Sequence, residues 1–263
     1  MMSTPMARDG EAREESPAGD KTRSKRTGHE VKEVVRGRWR PPVFRKRVAV
    51  YVDGFNLYHA LDDLKRPYLK WLDLRSLMKG LIPRNEVLKR VVWCTAFKPS
   101  ARAKQLRHVA YLSAMEAKGV TCRVGHFVAH TNGCKACGHR WTSWTEKQGD
   151  VNFALSVLSD AQADLFDVAY LITADGDHAA TARFVKQQFP HKSVVSVSPP
   201  GRSHNRFILE WCDAKLSLDA RHIETALLPE VVRGRGRTVI RPAMYDPPLL
   251  PKQKRHLVLV SSN

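Results

Sequence analysis

Four aspartates stand where the chain can gather them around a divalent cation: Asp53, Asp150, Asp175 and Asp177. Hard cations such as Mg²⁺ and Mn²⁺ take oxygen ligands, usually a few carboxylates with water filling the rest of the shell. Carboxylates crowded together raise one another's pKa, so such a cluster is costly without a cation. A water held by the metal becomes a usable nucleophile near neutral pH, and the metal also stabilises charge developing on a phosphoryl oxygen. Asn56 and Thr173 are suited to orienting ligands or water, and Lys147, just ahead of Asp150, to facing a phosphate. Asp-x-Asp patterns also serve sugar-nucleotide transferases and aspartate-nucleophile phosphatases. The latter want paired aspartates right after the first strand, where this chain reads Asp53-Gly54-Phe55.

The elements that must position these acids can be read from periodicity. The run Val48-Ala49-Val50-Tyr51-Val52 reads as a buried strand ending on Asp53, and Val168 to Thr173 ends in the same way on Ala174-Asp175-Gly176-Asp177. Parallel strands place such tips at the edge of an open sheet where ligands bind. Helices are expected over 57–64 and 72–81, a second strand over 91–97, a helix over 101–118 closed by Gly119, and a short third strand over 120–124. Asp150 opens the next helix, where the helix dipole favours a carboxylate. A helix over 178–188, a fifth strand over 193–197 and a helix over 205–212 follow. Strands alternating with helices predict an α/β fold with a mostly parallel sheet of about five strands.

The chain carries 44 Lys and Arg against 26 acidic residues, a net charge of +18, which points to a polyanionic partner held through counterion release. RNA leads, with DNA open. No apolar run is long enough to span a bilayer, so no membrane partner is expected. Residues 1–20 lack the apolar segment of a signal peptide, so a reducing, cytoplasmic setting is expected and the five cysteines should be free or metal-bound. Residues 1–45 read as a disordered basic arm, 46–228 as the folded domain, and 229–263 as a basic, Pro-rich tail. Lys98 and Arg102 follow a strand end and open a helix, where they either line the crevice and hold RNA backbone or form a solvated face. The stretch 126–145 interrupts the pattern as an insertion with Cys134-Lys135-Ala136-Cys137, half of a tetrahedral Zn²⁺ site, the other half open among nearby Cys122, His126, His130 and His139. Trp141 and Trp144 read as the hairpin's own small core or as stacking platforms for unpaired bases.

Three segments in order, Tyr51-Val52-Asp53-Gly54-Phe55-Asn56-Leu57-Tyr58, Glu146-Lys147-Gln148-Gly149-Asp150-Val151-Asn152 and Leu171-Ile172-Thr173-Ala174-Asp175-Gly176-Asp177, resemble the NYN domain, a branch of the PIN-like nuclease superfamily. The resemblance covers about residues 47–220. It implies a Rossmann-like three-layer α/β/α sandwich and a ribonuclease dependent on Mg²⁺ or Mn²⁺. Asp53, Asp150, Asp175 and Asp177 would hold the metal, with Asn56 and Thr173 beside them. Two positions depart from the pattern: Ala174 stands where Gly is frequent, and His178 where an aromatic such as Phe is common. Neither removes a carboxylate. The alternative reading is a nucleic-acid-binding module of the same fold that does not cut, and the oligomeric state is open, a homo-oligomer included.

Overall fold

The computed structural model describes residues 44–99, 102–234 and 236–248. The expected N-terminal arm lies almost wholly outside these, as does the last part of the expected tail. In chain order the elements are β1 (Lys46–Asp53), α1 (Gly54–Asp63), α2 (Leu74–Leu81), β2 (Glu86–Ala96), α3 (Arg102–Ala117), β3 (Thr121–Gly133), β4 (Arg140–Lys147), α4 (Gly149–Gln162), β5 (Val168–Ile172), α5 (Ala179–Gln188), β6 (Ser193–Ser198), α6 (Arg206–Leu209), β7 (Ala214–Ser217), α7 (Ala220–Glu224), β8 (Val231–Gly234) and β9 (Arg237–Ile240).

A seven-stranded sheet runs β4-β3-β2-β1-β5-β6-β7, parallel throughout except for the antiparallel β3–β4 pair. The chain therefore builds outward from β1 through β2 and β3 on one side, then returns to add β5, β6 and β7 on the other. That reversal puts a topological switch between β1 and β5, and a crevice opens beyond the C-terminal ends of these two strands. Strand alternation explains the three layers. Val48, Val50 and Val52 enter a core with α1, α2 and α3 on one face; Ala49 and Tyr51 enter a second core with α4 and α5 on the other. A buried polar knot ties α4 to the sheet: the Tyr51 hydroxyl donates to Asp160 Oδ2 at 2.9 Å, and Arg90 Nε lies 2.8 Å from the same oxygen. Because α4 carries Asp150 at its start, this knot also fixes the height of Asp150 over the sheet.

Sequence and structure differ at three places. The stretch over 126–145 is a hairpin, as read from the sequence, but it is continuous with the sheet: β3 runs on into it and pairs with β4 from His126↔Lys147 to Gly133↔Arg140 at the sheet's edge. β7 is a short, mostly exposed edge strand, and four residues cannot show a period. The folded body also runs past residue 228: β8 and β9 pair, Val232 and Val239 are buried, and Tyr245 stacks on Trp71 at 6.2 Å and 27°. Two valines scattered among arginines and glycines give no pattern that sequence could register.

Gly54 sits where α1 leaves β1. A Cβ there would lie 2.4 Å from the Cys94 carbonyl oxygen and 2.6 Å from Trp93 Nε1, so only a bare Cα lets the turn lie against β2. Gly54→Ala is expected to lower stability by about 1–3 kcal/mol, since a backbone oxygen can yield only by moving its strand. A denaturant midpoint equal to wild type would show that the turn has room.

Candidate metal centre

Three chain segments reach the crevice, each through the start of a helix or turn. Asp53 ends β1 and caps α1: its Oδ1 accepts the N–H groups of Phe55 at 3.1 Å and Asn56 at 3.0 Å. Asp150 lies in the first turn of α4, which enters from Gln148 in the left-handed region at φ 78°, with Glu146 Oε1 accepting the Gly149 N–H at 2.8 Å. Asp175 caps the turn before α5 by accepting the Asp177 N–H at 3.1 Å, and His178 follows at the start of α5. The positive ends of these segments offset part of the repulsion among the carboxylates.

Asp53 and Asp150 meet at His178. The imidazole Nε2 is 3.5 Å from Asp53 Oδ2 and 3.6 Å from Asp150 Oδ1, and one donor atom from each of the three residues lies within 4.8 Å of the others. His178 is 1% exposed, its ring lies 4.0 Å from that of Phe153, and Nε2 has no hydrogen-bond partner among the described residues. Burial of an unsatisfied ring nitrogen is costly, and here it points between two carboxylates. Two oxygens and one imidazole nitrogen aimed at a common point suit a divalent cation.

Asp175 lines the same hollow of about 350 Å³, together with Asp53, Asn56, Glu146, Asp150, His178 and Arg202. Asp177 does not line it: the residue is exposed, and only its charge reaches Asp150. Asn56 and Thr173 hold the frame. Asn56 Oδ1 accepts the Ala174 N–H at 3.1 Å, while the Thr173 hydroxyl donates to Asp53 Oδ2 at 3.0 Å and accepts the Asp175 N–H at 3.0 Å. Thr173 is buried, so this stitch between β1 and the exit of β5 is structural support for the acids.

The carboxylates differ electrostatically. Burial works to raise Asp53, but the nearby His178 imidazole at 3.5 Å and the hydrogen bonds from the Asn56 N–H and Thr173 outweigh it, so its pKa falls. Asp150 is raised, first by desolvation and then by the charges of Asp53, Asp175 and Asp177 acting against His178. Glu146 is also raised, by desolvation and by Asp150 and Asp53. Cys94 beneath the hollow has its thiol pushed up to about 12 by burial and by Asp53, which leaves it protonated and unsuited to nucleophilic attack.

The remaining sequence candidates lie elsewhere. Lys98 lines an adjoining aromatic hollow, whereas Arg102 at the start of α3 and Lys147 at the end of β4 are exposed and line neither hollow. Cys134 and Cys137 sit at the hairpin tip. There the Cys137 and Ala136 N–H groups and the Cys137 thiol bond Cys134 and lower its pKa, and no third His, Cys, Asp or Glu joins them among the described residues. The lining also includes polar residues that the sequence does not single out, His178, Glu146 and Arg202 among them. His178 was visible only as a departure from the family pattern, Glu146 only as part of a motif, and Arg202, paired with Asp63 at 2.6 Å, gave no signal at all.

A profile described as the NYN domain matches residues 47–212. The chain belongs to the NYN domain family. Its parallel sheet and acid-lined crevice are the PIN-like arrangement that the resemblance predicts. This NYN chain is 24% identical over 242 residues to a Pseudomonas putida protein named 6-hydroxy-3-succinoylpyridine 3-monooxygenase HspA, covering 78% of the chain and 77% of the relative. A solved structure of a protein of unknown function from Vibrio parahaemolyticus is similar at a TM-score of 0.45 and 16% identity, over 70% of this chain and 98% of that one. No helix among the described residues is long and apolar enough to cross a membrane.

Proposed function

We propose that the chain is a metal-dependent ribonuclease that cuts RNA endonucleolytically. The observation that carries this reading is the buried, unpartnered His178 Nε2 set between Asp53 and Asp150 at the mouth of the switch-point crevice, on a chain of net charge +18. Asp53, Asp150 and His178 would hold the ion directly, with Asp175 beside them and Asp177 contributing charge. The bound ion supplies an activated water and neutralises charge on the scissile phosphate. Asn56 and Thr173 keep Asp53 and Asp175 in place, and the Asp53 carboxylate, kept ionised by its bonds, presents a standing charge to the ion. Among Mg²⁺ and Mn²⁺, the imidazole donor favours Mn²⁺, because Mg²⁺ prefers an all-oxygen shell.

The Pseudomonas relative's name raises a monooxygenase reading, which the donor set does not favour: non-haem iron oxygenases use two imidazoles and one carboxylate, and here one imidazole meets two or more carboxylates. A Zn²⁺ ion held by Cys134 and Cys137 is part of the proposal. So is RNA backbone contact by Lys98, Arg102 and Lys147. A cytoplasmic setting belongs to it as well, and five free thiols suit a reducing compartment.

The decisive test is a closed circular single-stranded RNA incubated with purified protein in Mn²⁺ or EDTA. Linearisation in Mn²⁺ alone is the expected result. RNA that is retained but stays circular with every divalent ion would reassign the chain as a binding module. Metal removal gives a second check. Protein stripped with EDTA should gain thermal stability on Mn²⁺ addition, about 2.7 kcal/mol at a free concentration near a hundred times Kd. Because Asp150 and Glu146 hold their protons more tightly than free carboxyls, this gain should fade on acidification sooner than for ordinary carboxylates. A midpoint indifferent to Mn²⁺ would remove the metal centre.

A further inference from the structure

Beside the acid cluster the crevice continues into a second hollow of about 500 Å³ walled by Phe55, Tyr58, Phe97, His108, Phe127 and Trp144. The register of the edge hairpin accounts for part of this wall. Phe127 pairs with Glu146 and Ala129 with Trp144, so all four side chains share one face, the face turned to the crevice. α1 supplies another part: Asp53 caps it, and its own residues Phe55 and Tyr58 reach the aromatic hollow. The rings meet edge to face, Phe55 on Phe127 at 5.7 Å and 74°, Tyr58 on His108 at 6.0 Å and 83°. None of the six belongs to either hydrophobic core, and Trp144 is 37% exposed. They are therefore a surface held ready for contact.

Charge and position say what that contact is. Three lysines, Lys70, Lys98 and Lys104, line the hollow against the single carboxylate of Glu146. Lys70 is engaged by Asp62 and lies 4.5 Å over the Tyr58 ring, and Lys104 lies 5.8 Å from that ring. Phe55, His59 and Glu146 line both hollows, so the two are continuous. One strand of polynucleotide can lie across them, a phosphodiester at the acids and its neighbouring base among the rings. We propose that this aromatic hollow is a nucleobase subsite: it takes one unpaired base of a single-stranded nucleic acid, with lysines on the flanking phosphate, and thereby excludes duplex. A base inside a duplex is stacked and cannot enter, whereas an unpaired base of any identity presents a π-face. The proposal rests on the nucleic-acid reading of the metal centre and adds where the substrate's bases go.

The test measures binding of the full chain in EDTA, where cleavage plays no part. The probes are a short fluorescein-labelled single-stranded oligoribonucleotide, its duplex, and an abasic strand of equal length. Fluorescence anisotropy should show the single strand bound about tenfold or more tighter than either. Trp144→Ala and Tyr58→Ala should each weaken the single strand about 5- to 100-fold and leave the abasic strand unchanged, with Trp144→Phe restoring most of the loss. Equal affinity for the based and abasic strands, or equal losses on both in the variants, would overturn the subsite. Nicotinate, a small heteroaromatic carboxylate, is the rival occupant. Saturable tryptophan quenching by nicotinate, with oligonucleotide binding indifferent to Trp144→Ala, would also overturn it. Base-dependent binding without cleavage in Mn²⁺ supports the subsite and refutes only the ribonuclease reading. Cleavage with no base dependence does the reverse.

Discussion

Asp53→Asn is expected to reduce Mn²⁺-dependent RNA cleavage on the order of a thousandfold or more, while the protein stays folded. A metal-held water and the charge stabilisation around it amount to several kcal/mol of barrier, and each 1.36 kcal/mol is a factor of ten. Asp53 is the acid most tightly built into the site: Oδ1 is spent on capping α1, and Oδ2 faces Thr173 and His178. Asparagine keeps a carbonyl oxygen for the cap, a near-equivalent exchange, so α1 should persist. The stability change has a definite sign. Folding lowers the Asp53 pKa, so the carboxylate contributes stability above its unfolded pKa that disappears as pH falls through the folded value. The variant lacks that contribution and should melt slightly below wild type near neutral pH, with the difference closing in acid. Circular dichroism and thermal melts over pH, run beside gel assays of RNA cleavage, read both effects. Full Mn²⁺-dependent activity in the variant would end the proposed role of this acid.

His178→Phe separates the metal from the fold more cleanly. The ring is buried against Phe153 and its Nε2 is unpartnered, so phenylalanine keeps the stack and removes the orphaned nitrogen. Removing an unsatisfied buried polar group recovers about 1–3 kcal/mol, but phenylalanine also removes the neighbour that lowers the Asp53 pKa, so the two effects oppose and the metal-free variant should melt close to wild type. Metal affinity should fall. Loss of a supporting residue outside the shell already weakens metal sites about 10- to 100-fold, so loss of a direct nitrogen donor should weaken Mn²⁺ by at least about tenfold. Mg²⁺, which gains little from imidazole, should change less. Calorimetric titrations with both ions give the ratio, and the paramagnetic spectrum of bound Mn²⁺ should lose its nitrogen coupling. An unchanged preference between the two ions would show that His178 is packing alone.

Much of this site is legible in the sequence. Asp53 and Asp175 end apolar runs, and strand tips in a parallel sheet face one edge, so β-periodicity alone assigned them to one side of the molecule. Asp150 opened a helix with a clear apolar period, and the basic charge named the class of partner. Asn56 reads in the sequence as part of the signature and as a residue that orients ligands or water, whereas the bond it makes in the fold is not readable there. Its carboxamide bonds the Ala174 N–H across to the β5 loop, a contact between segments far apart in the chain. Asp177 shows the limit from the other side. Its neighbour Asp175 faces the crevice, while the turn between them leaves Asp177 exposed, and a spacing of two does not fix on which side of a turn a side chain emerges.

The sequence by itself determined the α/β class, the parallel strands, the family and three of the four acids that line the crevice, because each rests on local periodicity or a contiguous motif. Tertiary structure alone decided that the hairpin extends β3 at the edge of the sheet, that β8 and β9 close over the first core, and that the hairpin brings Phe127 and Trp144 to α1. It also decided that His178, a mere substitution in the motif, points its nitrogen between Asp53 and Asp150. The physical reason is the same in each case: these contacts join segments distant in the chain, and their energy comes from burial and pairing that exist only once the sheet has formed.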